Sequence, residues 1–235
     1  MDLEKLYSEI RSATESYYEN LRSVDDRVRN TTIELNEVMG KLDDPESYIK
    51  KEKQKQREKI IGKYENKVAE SLNEFEKKTR QKVDKLKSKL DPEPDYQEKT
   101  YKATKAGQIL SMMDNEKIPE YLQQIDDPVE REEYIKLSRV KLQGQPGLQK
   151  NLNKQIVNSL PAEEKKSREE LAYNQALLDN KDFINDRAIT AADKVINNDM
   201  ADVIGIQAVD NFSHNLMDKN DGIKNRLDDY IAEQY

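Results

Sequence analysis

The sequence is most informative first in what it lacks. It has no cysteine, no tryptophan and a single histidine, His214, among 235 residues. Without cysteine the chain can form no disulfide framework, thiolate nucleophile or Cys-ligated zinc site. One histidine cannot build a His-rich metal centre, and none of the patterns GxGxxG, GxxxxGK[ST], GxSxG or HExxH occurs. We therefore predict a non-enzymatic protein with no catalytic residues, no metal, no cofactor and no small-molecule ligand.

Long apolar runs are also missing. No stretch approaches the roughly 20 apolar residues of a membrane-spanning helix, and the first residues lack the basic and apolar regions of a signal peptide. Hydrophobic residues make up 35% of the chain and charged residues 37%. Typical domains are about 45–50% apolar and about 25% charged, so a helical protein with one buried stripe per helix fits better than a single compact core. We expect no membrane contact, and a location in the cytoplasm or within a macromolecular assembly such as a virion.

What the chain does have is apolar residues at helical spacing. From Leu3 to Leu42 they recur every three or four residues, close to a coiled-coil heptad, with no glycine or proline before Gly40. Asp44 and Pro45 then form a stop followed by a helix start. A second stripe runs from Ile61 to Leu90, and no strand pattern is visible. These features predict an all-α fold that opens with a long, antiparallel, coiled-coil-like helical hairpin.

Charge supports the pairing of the two hairpin helices. Residues 1–45 contain 6 Lys or Arg and 11 Asp or Glu, whereas residues 46–90 contain 15 and 8. An acidic helix beside a basic one favours antiparallel pairing, although each exposed ion pair contributes only about 0–1 kcal/mol. In the expected register, Leu6 lies near Leu86.

The domain organisation is predicted from proline. Pro92 and Pro94 give residues 91–95 the character of a stiff linker, which divides the chain into a hairpin domain, 1–90, and a bundle of shorter helices, 96–235. Within that bundle, the apolar stretch 200–209 is expected to form the central helix. Residues 218–222 have the wrong ligand register for a calcium loop, and we interpret them as a helix end and a turn.

Two features of the hairpin suggest a surface for partners. Residues 50–59 contain no apolar side chain apart from the stems of lysine and arginine, and tyrosines lie on or near the seam, where they suit a half-wet interface. Each feature also has an interpretation that needs no partner. The basic segment can be a solvated helix face, and the tyrosines can belong to the hairpin core with their hydroxyls at its edge. The candidate interaction residues are Tyr7, Tyr17, Tyr18, Tyr48, Lys50, Lys51, Lys53, Lys55, Arg57 and Lys59.

The function that these patterns favour is a helical structural, assembly or adaptor protein that binds protein partners or further copies of itself. The composition, with no Cys or Trp and many Lys, Asn, Asp and Tyr, is similar to that of small virion, scaffolding and adaptor proteins of phages and AT-rich bacteria. The runner-up is a nucleic-acid-associated protein that uses the basic helix 46–90, because clustered lysines bind phosphates. A helical enzyme with a carboxylate site is the third hypothesis.

Overall fold

A computed structural model describes residues 2–36, 45–90, 96–198 and 202–233. Within these ranges the chain forms α-helices and two short 3-10 turns, with no β-strand, which confirms the predicted all-α fold. The helices are α1 (Leu3–Asn36), α2 (Pro45–Leu90), α3 (Tyr96–Met112), α4 (Ile118–Tyr121), α5 (Pro128–Lys141), α6 (Pro146–Ser159), α7 (Ala162–Asp179), α8 (Lys181–Asn197), α9 (Asp202–Lys224) and α10 (Leu227–Glu233).

The first two helices form the predicted antiparallel hairpin. The Thr14 hydroxyl lies 3.0 Å from the hydroxyl of Tyr64. Further along, the pKa of Glu74 is lowered first by its hydrogen bond from Lys78 and also by the charge of Lys5. The pairing partner on α2 therefore moves from residue 64 to residue 74 as α1 is followed back from residue 14 to residue 5.

This register differs from the expected one, in which Leu6 lay near Leu86. The observed pairings place Leu6 opposite the turn that contains Leu72 and Phe75. The reason lies in the connection, because α1 ends at Asn36 and α2 begins at Pro45, so the pairing is centred near residue 40.

Both predicted seams are buried over much of the described sequence, while one predicted neighbour of the seam is not. The exception is Tyr48, whose side chain is 54% exposed. Tyr48 precedes Lys51 and Lys55 by three and seven residues, which places it on their face of α2 and away from α1. Thr14 and Tyr18, which neighbour the predicted seam of α1, are buried as well. The half-buried members of the predicted seams are Ala13, Val28, Ile61, Leu86 and Leu90. The buried members are Leu3, Leu6, Ile10, Tyr17, Leu21, Val24, Tyr64, Val68, Leu72, Phe75, Thr79 and Val83.

The chain divides into two compact units. Unit 1 comprises residues 1–79 and 179–219, and unit 2 comprises residues 80–178 and 220–235. Helices α2 and α9 thus contribute to both units, and α8 belongs with the hairpin. The predicted linker 91–95 lies outside the described residues, and the independence of the domains 1–90 and 96–235 stays a prediction.

In unit 1, α1 also contacts α8 and α9. The Tyr18 hydroxyl donates to the carbonyl oxygen of Val195 at 3.3 Å. A Cβ atom at Gly205 would overlap the same hydroxyl, so glycine is what allows α9 to approach α1 here. Val203 and Ile204 are exposed at the start of α9, whereas Ala208, Val209, Phe212 and Leu216 are buried. The apolar stretch expected at the centre of the later bundle therefore packs in unit 1, on one face only.

In unit 2, a buried core is enclosed chiefly by α3, α4, α5 and α6. Its members include Leu110, Leu122, Tyr134, Ile135 and Leu152. Helix α5 begins at Pro128, and an Asp127 carboxylate oxygen accepts from the backbone N–H of Glu130 at 2.8 Å, as an N-cap residue does.

One local prediction about unit 2 is wrong. The turn expected at 218–222 is helical, and α9 continues to Lys224. The Tyr173 hydroxyl donates to the side-chain oxygen of Asn220 at 2.7 Å, and Ile223 is buried. These contacts favour continuation of the helix over the local preference of Asn, Asp and Gly for turns.

Candidate interaction surface

The predicted site residues separate into buried and exposed groups. Tyr17 and Tyr18 belong to the core of unit 1, with 2% and 4% of their side chains exposed. The ring of Tyr17 lies 5.2 Å from that of Tyr18 and 5.0 Å from that of Tyr64. Burial raises the pKa of Tyr18 and of Tyr64 to about 12. In the single chain these rings are already covered, and their predicted contact with another chain stays a prediction.

Tyr7 is half-buried and takes part in a polar contact inside unit 1. Its hydroxyl donates to an Asp210 carboxylate oxygen at 2.8 Å and accepts from Arg11 at 2.6 Å, while Arg11 also donates to Asp210 at 2.9 Å. Burial is the main cause that raises the pKa of Tyr7, followed by its hydrogen bond to Asp210. Tyr7 therefore connects α1 to α9.

The basic residues of the segment 50–59 do not share one surface. Lys53 and Arg57 are half-buried and have interactions of their own. Arg57 lies close enough to Tyr17 for its charge to act against the rise that burial causes in the pKa of that hydroxyl. The exposed basic residues are Lys50, Lys51, Lys55 and Lys59.

Three of these lysines form one face with Tyr48. Lys51, Lys55 and Lys59 follow Tyr48 at spacings of three, four and four residues, which are neighbouring positions on a helix surface. All four side chains are exposed. At a rise of about 1.5 Å per residue, this face extends for roughly 16 Å along α2.

Two carboxylates near this face hydrogen-bond to glutamine. Glu52 accepts a hydrogen bond from Gln56 at 2.8 Å, and Glu58 accepts one from Gln54 at 3.1 Å. Both keep their negative charge. Within the described ranges, Lys51, Lys55 and Lys59 form no ion pair.

The structure extends the row beyond the predicted residues. Lys63 and Lys67 continue the spacing of four and are exposed, and neither forms an ion pair among the residues that the structure describes. We call Lys51, Lys55, Lys59, Lys63 and Lys67 the lysine ridge. The four-residue repeat was visible in the sequence, but the prediction followed charge density in the segment 50–59 and missed it.

The lysine ridge ends beside an open groove between α1 and α2. The groove has a volume of about 590 Å³. The α1 wall is made mainly of small and hydroxyl side chains, and the α2 wall carries the two last ridge lysines, with Tyr17 and Tyr64 also lining the groove. The lining residues are Ser8, Glu9, Ser12, Ala13, Ser16, Tyr17, Asn20, Ile60, Lys63, Tyr64 and Lys67.

The residues that the structure describes contain neither a candidate metal cluster nor a helix that could span a membrane. Among the described residues, no group of three or more His, Asp or Glu side chains is arranged to hold a metal ion. No helix in the same part of the chain is both long enough and apolar enough to cross a membrane. In comparisons with known proteins, no family model, no curated protein and no solved structure matches this chain.

Proposed function

We propose that this chain is a non-enzymatic structural, assembly or adaptor protein that acts through protein–protein contacts, as a component of a larger assembly such as a phage virion or scaffold. The observation that carries the proposal is the lysine ridge. It is a row of exposed positive charges on a long helix, and no carboxylate of the described chain forms an ion pair with it.

The ridge contributes nothing to the hairpin through ion pairing. Like charges at positions i and i+4 of a helix destabilise it by about 0.2–0.5 kcal/mol per pair, and the ridge contains four such pairs. An acidic partner would reduce this repulsion, and its electrostatic attraction to the ridge would raise the association rate constant. Tyr48 adds an exposed aromatic ring at one end, and aromatic residues are enriched in protein interfaces.

Nucleic acid is the second candidate, and the same ridge is the observation that favours it. Five lysines would neutralise at most five phosphates, which corresponds to a slope of log K against log salt of about −3.5 to −4.5. Two features oppose this candidate. The chain has a net charge of −7, which repels a polyanion at long range. Among the described residues beside the ridge, Tyr48 alone is an exposed aromatic, so one ring at most could stack on a base.

The test compares two triple variants of α2. Lys51→Gln/Lys55→Gln/Lys59→Gln removes the charge of three ridge lysines. Lys77→Gln/Lys82→Gln/Lys87→Gln is the matched control at exposed positions of α2 outside the ridge. Sedimentation velocity measures self-association, and amine-reactive cross-linking with mass spectrometry in expressing cells identifies proteins that contact the ridge. Fluorescence anisotropy measures binding to labelled single-stranded and duplex DNA.

Cross-linking is used with the natural chain to identify the partner, because the ridge variant lacks the reactive amines. We expect the ridge variant, and not the control, to weaken the oligomer, or the complex with that partner, at least tenfold by sedimentation velocity. DNA binding should be undetectable at about 150 mM salt. Submicromolar DNA binding at that salt concentration, lost in the ridge variant alone, would overturn the proposal in favour of the nucleic-acid function. A monomer without ridge cross-links to any protein would also overturn it.

A further inference from the structure

The groove between α1 and α2 has two chemically different walls. On α1, Ser8, Ser12 and Ser16 recur at intervals of four residues and present short side chains. On α2, Lys63 and Lys67 are exposed and form no ion pair within the described chain. One wall is therefore low and nearly neutral, and the other is positively charged.

The acidic residue of the groove already has a partner. Glu9 lies 3.9 Å from the amine of Lys5, one turn earlier on α1. Glu74 and Lys78 pair in the same way on α2. These pairs lie at the Ser8 end of the groove. The pKa of Glu74 is lowered first by its hydrogen bond from Lys78 and also by the charges of Lys5 and Lys67, so Glu74 attracts Lys67 without forming an ion pair with it.

A buried polar group in the groove lining lacks a partner as well. Tyr17 lines the groove and is 2% exposed, and within the described chain its hydroxyl has no hydrogen-bond partner. An unpaired buried hydroxyl costs about 1–3 kcal/mol.

We propose that this groove seats one α-helix of a protein partner, with acidic side chains along the α2 wall and small side chains against the serines of α1. The inference rests on the proposed function and names the partner's element. Helices expose no unpaired backbone edge, so an extended peptide could not add to α1 or α2 as a strand. The distance from Ser8 to Asn20 along α1 is about 18 Å, or roughly three helical turns.

Charge and shape set the orientation of the occupant. Acidic residues spaced by four would follow Lys63 and Lys67, because i±4 rows form the ridges by which helices interdigitate. Short side chains facing Ser8, Ser12 and Ser16 would allow the two helix backbones to approach closely. Nucleic acid fits less well because the rings of Tyr17 and Tyr64, which are 2% and 3% exposed, offer no faces for base stacking.

The test uses a synthetic helical peptide as the probe. A labelled 14-residue peptide carries Glu at every fourth position beside a face of Ala, and a second peptide of the same composition has its Glu residues scrambled around the helix. Ser12→Trp fills the groove, and Asn30→Trp, at an exposed position of α1 outside the groove, is its matched control.

A second pair of variants tests the charge of the α2 wall. Lys63→Glu/Lys67→Glu reverses that charge, and Lys77→Glu/Lys85→Glu makes the same change at exposed positions of α2 outside the groove. Fluorescence anisotropy measures binding, and sedimentation velocity measures the oligomeric state.

We expect the patterned peptide to bind at least tenfold more tightly than the scrambled one. Ser12→Trp and Lys63→Glu/Lys67→Glu should each weaken it at least tenfold, and neither control should change it. Equal binding of the two peptides, or binding that survives Ser12→Trp, would overturn the inference. Loss of a dimer in Ser12→Trp, with no competition by the peptide, would overturn it in favour of a second copy of the chain.

The two proposals fail in different ways. If the Lys51, Lys55 and Lys59 variant weakens a protein complex while Ser12→Trp leaves it intact, the proposed function stands and the groove proposal falls. If neither change affects any protein contact, both proposals fall.

Discussion

The lysines of α3 form ion pairs with a neighbouring helix, whereas within the described chain the ridge lysines of α2 do not, and the sequence alone does not reveal this difference. In unit 2, Lys99, Lys102 and Lys105 on α3 face the first turns of α5. Lys102 lies 2.6 Å from Asp127, Lys105 lies 2.8 Å from Glu130, and Lys99 lies 3.8 Å from Glu132 and Glu133. In unit 1, the five lysines of the ridge form no ion pair within the described part of the chain. Both sets repeat every three or four residues, so the difference comes from the neighbouring helix.

Both units use tyrosine hydroxyls and ion pairs to connect their helices. In unit 1, the hydroxyls of Tyr18 and Tyr7 donate to Val195 and Asp210, and Arg11, Arg22 and Lys181 pair with Asp210, Asp202 and Glu76. In unit 2, the Tyr173 hydroxyl donates to Asn220, and the lysines of α3 pair with carboxylates at the start of α5. The lysines of α3 therefore connect two helices, whereas the ridge lysines form no ion pair within the described part of the chain.

Alkaline pH is the strongest way to test the role of tyrosine in unit 1. Tyr18 and Tyr64 have pKa values of about 12 in the folded chain, against about 10 when unfolded. Their contribution is fully present below pH 10 and is lost as pH rises towards 12, because only the unfolded chain releases these protons. Each group adds a slope of about 1.4 kcal/mol per pH unit, so stability should fall by on the order of 2–3 kcal/mol at pH 11. Urea unfolding from pH 8 to pH 11 measures this.

Lysine deprotonation weakens unit 2 in the same pH range, so the alkaline test needs a control. Tyr18→Phe/Tyr64→Phe removes both late-titrating hydroxyls and should flatten the fall in stability between pH 10 and pH 11. Absorbance at 295 nm should show two fewer tyrosines that ionise only on unfolding. An unchanged slope in the double variant would show that Tyr18 and Tyr64 do not set the alkaline limit of stability.

The next test breaks the lysine contact of unit 2 at Asp127. This carboxylate accepts from Lys102 and caps α5, and these two hydrogen bonds are the main causes that lower its pKa. Asp127→Ala removes both, and an N-cap alone contributes about 0.5–2 kcal/mol. With the partly buried Lys102 pair added, we expect a loss of about 1–2 kcal/mol at pH 7, measured by urea unfolding.

Acid pH provides the control for this variant. Because the folded pKa of Asp127 is lowered, its contribution is present above the unfolded value of about 3.9 and is lost as pH falls below it. The stability difference between Asp127→Ala and the natural chain should therefore narrow below pH 4. Asp127→Asn, which keeps a capping oxygen but loses the charge, should lie between them. A difference that does not depend on pH would assign the whole effect to the cap.

The sequence predicted the fold better than the surface. Apolar periodicity located α1 and α2, and Pro45 marked the start of α2, because these signals act within a few residues. It was harder to infer which residues are buried by elements that are distant in the sequence. Val203 and Ile204 are apolar but exposed, and residues 218–222 are helical because of contacts that are distant in sequence. Helical spacing placed Tyr17 on the seam, where it is buried. The burial of Tyr18 depends on α8 and on Gly205 of α9, which no local pattern identifies.

The smallest expected effect is on the ridge itself, and it sharpens the comparison most directly. Lys55→Gln/Lys63→Gln removes two exposed charges that form no ion pair in the described chain and relieves repulsion at all four i, i+4 pairs of the ridge. If these lysines do not stabilise the fold, the free energy of unfolding should stay within about 0.5 kcal/mol of that of the natural chain or rise by a few tenths.

The control is Lys102→Gln/Lys105→Gln on α3, which removes the same charge. It should lower the free energy of unfolding by about 1 kcal/mol, because the side chain of Lys102 is only 13% exposed and contacts two carboxylates. The midpoints of urea unfolding at low and high salt distinguish these cases, since salt should reduce the α3 effect and leave the ridge effect small. A ridge variant destabilised as much as the α3 variant would mean that these lysines support the hairpin, and the argument for a partner on this face of α2 would lose its basis.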